Sequence, residues 1–202
     1  MLLHLASQSP RRRELLTQIG VDFQVLSVTV DESPLPGEKP AQLVQRLARN
    51  KAAAGLAALA AKAKDADDDP PILGADTIVV VDDTILGKPK DETDAKAMLI
   101  RLSNRRHQVF SAVSLCNRNR QMTELSITEV HFRAIELSEL DRYCASGEPL
   151  GKAGAYAIQG LAGLFVTRLE GSYSGVVGLP LEKLFPLLRA FGVPYWRKQT
   201  EQ

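Results

Sequence analysis

The sequence is short of several things, and each shortage excludes something. Two cysteines, Cys116 and Cys144, stand among 202 residues. They are too few and too isolated for a disulfide framework or a thiolate zinc site, so both are expected to be reduced and structural. No apolar run approaches the roughly 18 residues of a membrane-spanning helix. The opening Met1-Leu2-Leu3-His4-Leu5-Ala6-Ser7 has no basic flank and soon meets Pro10, so no signal peptide is read there and a cytoplasmic protein is expected. Neither sign of charge is in excess: 25 Lys+Arg against 24 Asp+Glu leave a net charge of +1. That balance argues against a protein built mainly to grip nucleic acid. Aromatic residues make up 5% of the chain and none adjoins its one arginine cluster, which removes the usual stacking platform for single strands. Hydrophobic residues, at 45%, are too many for a disordered chain and ample for one domain with a core.

Familiar catalytic signatures are missing as well. The chain has no phosphate-binding G-x-x-x-x-G-K-[ST], no dinucleotide-binding G-x-G-x-x-G, no H-E-x-x-H and no G-x-S-x-G. His4, His107 and His131 are scattered, the latter two in expected strands. Asp67-Asp68-Asp69 has the composition of a metal site, but neighbouring carboxylates in a loop are usually solvated.

The pattern of what is present gives alternating elements. Leu2 to Ala6 reads as a buried strand, and Ser9-Pro10 as the cap and first position of a helix reaching Ile19, closed by Gly20. Phe23 to Val30 reads as a strand and Asp31 to Pro40 as a loop. A helix from Ala41 places Leu43, Val44, Leu47, Lys51 and Ala54 on one face, and the alanine-rich stretch to Lys64 prolongs it or starts another. Ile72 to Val81 is a strongly apolar strand that Asp82-Asp83 turns into Ile85-Leu86. Thr93 to Leu102 reads as a helix, His107 to Cys116 and Thr123 to Phe132 as a hairpin, and Ser138 to Ala145 as a helix capped by Ser138. Phe165 to Leu169 reads as a strand and Pro180 to Phe191 as a last helix ended by Gly192. Strands and helices mix without strict alternation and no linker splits the chain, so a single domain with a mixed-sheet α/β or α+β fold is expected.

Four features resist a purely architectural reading. Arg11-Arg12-Arg13 fall in the first turn of a helix, where the dipole disfavours cations unless an anion is to be bound. Asp76 interrupts an apolar strand, and a buried carboxylate needs a partner. Lys51 lies on the apolar stripe of its helix, where its stem either snorkels outward or carries an ammonium to a cleft. The run Gly151-Lys152-Ala153-Gly154-Ala155-Tyr156-Ala157-Ile158-Gln159-Gly160 allows close backbone approach to a ligand. With Glu32 after the second strand, and Lys88 and Asp91 after the hairpin, the set suits metal-assisted phosphate chemistry, with magnesium or manganese held by carboxylates and substrate oxygens.

These residues fall in blocks that resemble the Maf family of nucleoside triphosphate pyrophosphatases. The blocks are Ala6-Ser7-Gln8-Ser9-Pro10-Arg11-Arg12-Arg13-Glu14-Leu15, Arg46-Leu47-Ala48-Arg49-Asn50-Lys51-Ala52, Gly74-Ala75-Asp76-Thr77, Gly87-Lys88-Pro89-Lys90-Asp91, the glycine-rich run 151–160, and Gly171-Ser172-Tyr173 through Val177-Gly178-Leu179-Pro180. The resemblance implies an elongated mixed sheet flanked by helices, in two lobes with a central cleft, like inosine triphosphate pyrophosphatase. It implies cleavage of a nucleoside triphosphate between its α and β phosphates. It assigns Asp76 as the catalytic carboxylate, acting as base or metal ligand, and Ser7, Arg12, Glu32, Lys51, Lys88 and Asp91 as phosphate or metal contacts. A divalent cation, Mg2+ or Mn2+, is the implied cofactor, with Glu32, Asp76 and Asp91 its expected ligands. Arg11, Thr77 and Gln159 match the subclass that prefers dTTP and UTP, and a glutamine amide offers both donor and acceptor to a pyrimidine edge. Gly151 departs from the family pattern, which commonly has aspartate there. The resemblance allows a homodimer and includes, as a second expectation, a nucleotide-binding regulator of cell division that needs no catalysis.

Overall fold

The computed structural model describes residues 2–61 and 69–197. Its centre is a seven-stranded mixed sheet built from β1 (Leu3–Leu5), β2 (Phe23–Val25), β3 (Ile72–Val81), β4 (Thr84–Leu86), β5 (Arg106–Cys116), β6 (Gln121–Phe132) and β7 (Val166–Glu170). The order is β2-β1-β3-β5-β6-β7, with β4 also paired to β3. β1 is parallel to β2 and β3; the other pairs are antiparallel.

One consequence of this register places the site. β5 covers one edge of β3 from Ile72 to Val80. On the opposite edge β1 pairs only with Ile72 and Leu73, and β4 only with Val79 to Val81. Between them, residues 74–78 have no neighbouring strand on that edge among the described residues. β1 and β2 end beside this gap, and in open sheets the carboxyl ends of parallel strands are where ligands bind.

Among the described residues six α-helices cover the sheet: α1 (Pro10–Gln18), α2 (Pro40–Ala60), α3 (Glu92–Leu102), α4 (Leu137–Ala145), α5 (Tyr173–Val177) and α6 (Leu181–Ala190). Alternation along β3 divides them between faces. Ile78 and Val80 pack under α2 with Leu43, Val44, Leu47 and Phe110. On the other face Leu73 and Ala75 join a core with Leu15, Leu16, Leu184 and Leu187, while Val79 joins a second with Leu99, Leu140, Tyr156 and Phe165. Thr77, between Ala75 and Val79 on that face, marks the seam of the two cores. Each fully buried leucine contributes about 2 kcal/mol by removal from water.

Most expected elements are present, with four differences. β2 stops at Val25 rather than Val30: the Leu26 amide still bonds the Leu5 carbonyl (2.9 Å), but β1 then leaves the sheet and no strand remains to pair with. The cap of α4 is Glu136, not Ser138, because Glu139 reaches back to the Glu136 amide (3.0 Å). The strand expected from Phe165 runs from Val166 to Glu170, and α5 was not expected at all. The alanine-rich run past Ala61 to Lys64, with Asp67 and Asp68, lies outside the described residues. Asp69 accepts hydrogen bonds from the Arg118 amide (2.8 Å) and the Asn119 side chain (3.3 Å).

Candidate functional site

The site starts from a close approach. α2 lies directly on β3 at Gly74, where a Cβ would fall 2.2 Å from the Ala48 carbonyl oxygen and 2.5 Å from the Ala52 nitrogen. Only glycine permits that distance. It sets Lys51 over the next residue facing α2, which is Asp76. The Lys51 ammonium lies 2.6 Å from Asp76 Oδ1 and 2.6 Å from Glu32 Oε1. One cation is thus held between two carboxylates. Asp76 is buried at 7% exposure, so the costly carboxylate has its partner. Burial opposes ionisation of Glu32, but the hydrogen bond and charge of Lys51, with Lys88 and Arg12 behind it, hold its carboxyl below the usual range.

The arginine cluster divides by direction. Arg13 is exposed, while Arg11 and Arg12 turn partly inward. Arg12 donates through Nε to the Gly178 carbonyl (2.9 Å) and through Nη1 to Ser7 Oγ (2.9 Å). Burial lowers its pKa, and the charges of Asp76 and Glu32 oppose that lowering. Ser7 also accepts from the Ser9 amide (3.3 Å), and neither of these bonds uses its own proton. Ser7, Arg12, Glu32, Lys51 and Asp76 therefore form one cluster at the open edge of β3.

Thr77 faces the other way. The Gly175 carbonyl can only accept, so Ser111 donates to it (2.6 Å). Ser111 then has only a lone pair for Thr77, at 2.8 Å, and Thr77 must donate. The outer lone pairs of Thr77 are left as acceptors, close to Gly178.

Arg11 and Gln159 meet elsewhere. Both line a cavity of about 390 Å³ with Pro10, Glu148, Gly151 and Lys152, within the roughly 300–1,000 Å³ of small-molecule sites. Desolvation is the main cause lowering the pKa values of Arg11 and Lys152. Among the described residues lining it, Thr77 does not appear. Gly151 takes φ +75° with open space where a Cβ would point. Aspartate tolerates that left-handed conformation better than most residues, so the expected aspartate would also fit at this position.

Two expected contacts lie further out, Lys88 acting on the cluster through its charge on Glu32. Lys88 is exposed on the segment after β4, which is tied to the glycine-rich run by the bond from the Gly154 amide to the Gly87 carbonyl (3.0 Å). Asp91 is the cap of α3, accepting from the Asp94 amide (2.8 Å), and among the described residues its carboxylate does not group with those of Glu32 and Asp76 within 4.8 Å. Among the described residues, Glu129, His131 and Glu170 place ligand atoms within 4.8 Å of one another. Arg106 (3.8 Å) and Arg168 (2.9 Å) already pair with those carboxylates, so this is a surface charge network. Sequence reasoning missed Ser111, Gly178 and Glu148. Ser111 acts through its hydroxyl in the middle of an ordinary apolar strand, and Gly178 through its backbone carbonyl, which leaves no mark in a sequence. Glu148 is the lone acid beside the glycine-rich run, a signal that was there to read.

A family model described as Maf-like protein matches residues 2–191. The "dTTP/UTP pyrophosphatase" of Saccharophagus degradans is 52% identical over 195 residues, covering 96% of this chain and 91% of that one. Proteins of the same name from Bordetella parapertussis and Alcanivorax borkumensis are 53% and 50% identical, covering 95% and 98% of this chain and 93% and 99% of theirs. Among solved structures, the Staphylococcus aureus Ham1 protein aligns with a TM-score of 0.47 at 14% identity, over 95% of this chain and 97% of that one. The match runs from β1 through α6 and takes in every residue of the Lys51 cluster, and on it the chain belongs to the Maf family.

Proposed function

We propose that this chain is a nucleoside triphosphate pyrophosphatase that hydrolyses dTTP and UTP to the monophosphate and pyrophosphate. The observation that carries the reading is Lys51 clasped between Asp76 and Glu32, beside the inward Arg12 and Ser7. The names of relatives at about half identity supply the substrate class. No helix among the described residues is long and apolar enough to cross a membrane.

The chain's own groups divide the work. Arg12, Lys51, the Ser7 hydroxyl and Lys88 neutralise and orient the triphosphate. When the phosphates draw the Lys51 ammonium toward themselves, Asp76 is released to hold a water and take its proton. That water's oxygen bonds to the α-phosphorus as the bond to the bridging oxygen breaks, and pyrophosphate leaves with the electron pair. Gln159 and Arg11 hold the base in the neighbouring cavity. Glu32 and Asp76 also suit a divalent cation: both are hard oxygen donors that already share one positive charge. Such an ion would supply charge neutralisation at the phosphates and a more acidic bound water. Asp91, the cap of α3, is not grouped with them among the described residues.

The test is a panel of nucleoside triphosphates scored for pyrophosphate, with and without a chelator, in water labelled with heavy oxygen. Release from dTTP and UTP, lost on chelation and restored by Mg2+ or Mn2+, with label in the monophosphate, is expected. Label in the pyrophosphate would move the attack to the β-phosphorus and defeat the reading.

A further inference from the structure

The cavity that takes Arg11 and Gln159 is shaped by a carboxylate that does not belong to the reacting cluster. Glu148 follows α4 in the turn before the glycine-rich run. Its Oε1 accepts from the Tyr143 hydroxyl (3.0 Å) and the Ala162 amide (3.3 Å), and its Oε2 accepts from the Leu161 amide (3.0 Å). One side chain therefore ties the end of α4 to the residues immediately after Gln159-Gly160. The fit is close: a Cβ on Gly160 would lie 2.3 Å from Glu148 Oε2. On its other side Gly160 is fixed by its amide, which donates to the Ala157 carbonyl (3.0 Å). The backbone carrying Gln159 is held between that turn and the Glu148 strut, while the Gln159 side chain itself is exposed.

The same carboxylate reaches the cations of the cavity. Its charge acts on Arg11 and on Lys152, and the Lys152 ammonium donates to the Glu148 backbone carbonyl. Among the described residues lining the cavity, Glu148 is the only acid. We propose that Glu148 is a positioning residue for base selection: it fixes Gln159 opposite Arg11 and so decides which nucleobase edge the cavity accepts. The inference rests on the reading that this cavity takes the pyrimidine base of a triphosphate.

The chemistry requires a carboxylate. Three donors converge on two oxygens, and a glutamine would offer one oxygen and turn an NH2 group toward a donor. One contact at least is then lost, and the turn holding Gln159 loosens. The experiment compares wild type, Glu148→Gln and Tyr143→Phe. It measures kcat/KM for UTP and for CTP, inhibition by inorganic triphosphate, and thermal melting. CTP discriminates because its base edge reverses the donor and acceptor of uracil. Inorganic triphosphate reports the phosphate cluster alone.

Glu148→Gln is expected to lower kcat/KM for UTP at least tenfold, mostly through KM, and to narrow the UTP to CTP preference at least fivefold. Inhibition by inorganic triphosphate should stay within twofold. Tyr143→Phe, which removes one donor and no charge, should narrow the preference about threefold and serves as the test if Glu148→Gln melts before assay temperature. An unchanged UTP to CTP preference in a folded variant overturns the proposal. Equal losses for UTP, CTP and triphosphate also overturn it, because they would mark general distortion. A wild type that releases pyrophosphate from neither dTTP nor UTP, seen before any variant is made, overturns the reading beneath it instead.

Discussion

At the scale of single residues, the consequential contact is an ion pair with one cation and two anions. Lys51 satisfies Asp76 and Glu32 at 2.6 Å each, so the buried carboxylate is paired before any substrate arrives. Substitution of Asp76 by asparagine keeps the shape and removes the base. Pyrophosphate release should fall by roughly a hundredfold or more, while the melting temperature stays near wild type because Lys51 retains Glu32. Steady-state rates and a thermal melt on the same preparation check both halves, and near-normal turnover would remove Asp76 from its role. This part of the site was legible in the sequence for a physical reason. A lysine on an apolar helix stripe and an aspartate in an apolar strand each lack a local partner, and two such orphans of opposite charge predict each other. Asp91 shows the converse. Expected as a metal ligand, it serves in the structure as the cap of α3 by accepting from the Asp94 amide, a role that its place just before a helix could have signalled.

At the scale of elements, the approach of α2 to β3 does the positioning. A Cβ at Gly74 would meet helix backbone, which cannot rotate aside. Gly74→Ala should therefore cost about 3 kcal/mol or more, at the upper end of overpacking effects. It should also lift Lys51 from Asp76 and lower turnover more than tenfold in the protein that remains folded. Gly55→Ala is the comparison, because its added Cβ meets the Ile72 Cγ2 methyl at 2.7 Å rather than backbone, and it should cost less. Urea unfolding of both variants measures the difference. The long strand β3 and the β5–β6 hairpin were readable because their patterns run for ten residues or more. The end of β2 was not, since Val28 and Val30 still favour a strand and only the departure of β1 stops it. The five-residue α5 was too short for any periodicity, and its cap is the Ser172 side chain accepting from the Gly175 amide.

At the scale of the molecule, one buried titratable group ties stability to pH. His107 is 2% exposed, with Nε2 2.8 Å from the Tyr156 hydroxyl and its ring edge-on to Phe132. Desolvation, with a smaller contribution from His131, pushes its pKa down to about 4. An unfolded histidine titrates near 6.5, so the unfolded chain binds the extra proton first as pH falls. The stability that neutral His107 permits is complete above about pH 6.5 and is lost progressively down to about pH 4, by roughly 3 kcal/mol. Guanidinium unfolding at pH 7.5 and pH 4.5 should show that loss, and His107→Gln should flatten most of it. If the variant keeps the full pH slope, other groups carry it.

The alternation along β3 has a consequence for how the gene can change. Asp76 and Thr77 are neighbours, yet one faces Lys51 and the other faces Ser111. Which of them meets the Lys51 ammonium is decided by whether an odd or an even number of residues separates it from the strand's start. The nine-rung ladder with β5 holds that parity from Ile72 to Val80. Loss or gain of a single codon between Ile72 and Ala75 would leave a similar apolar strand but swap the two faces: a loss would set threonine against the ammonium, and a gain would set the carboxylate against the Ser111 hydroxyl. A strand can drift in composition and keep its chemistry; it cannot drift by one in length.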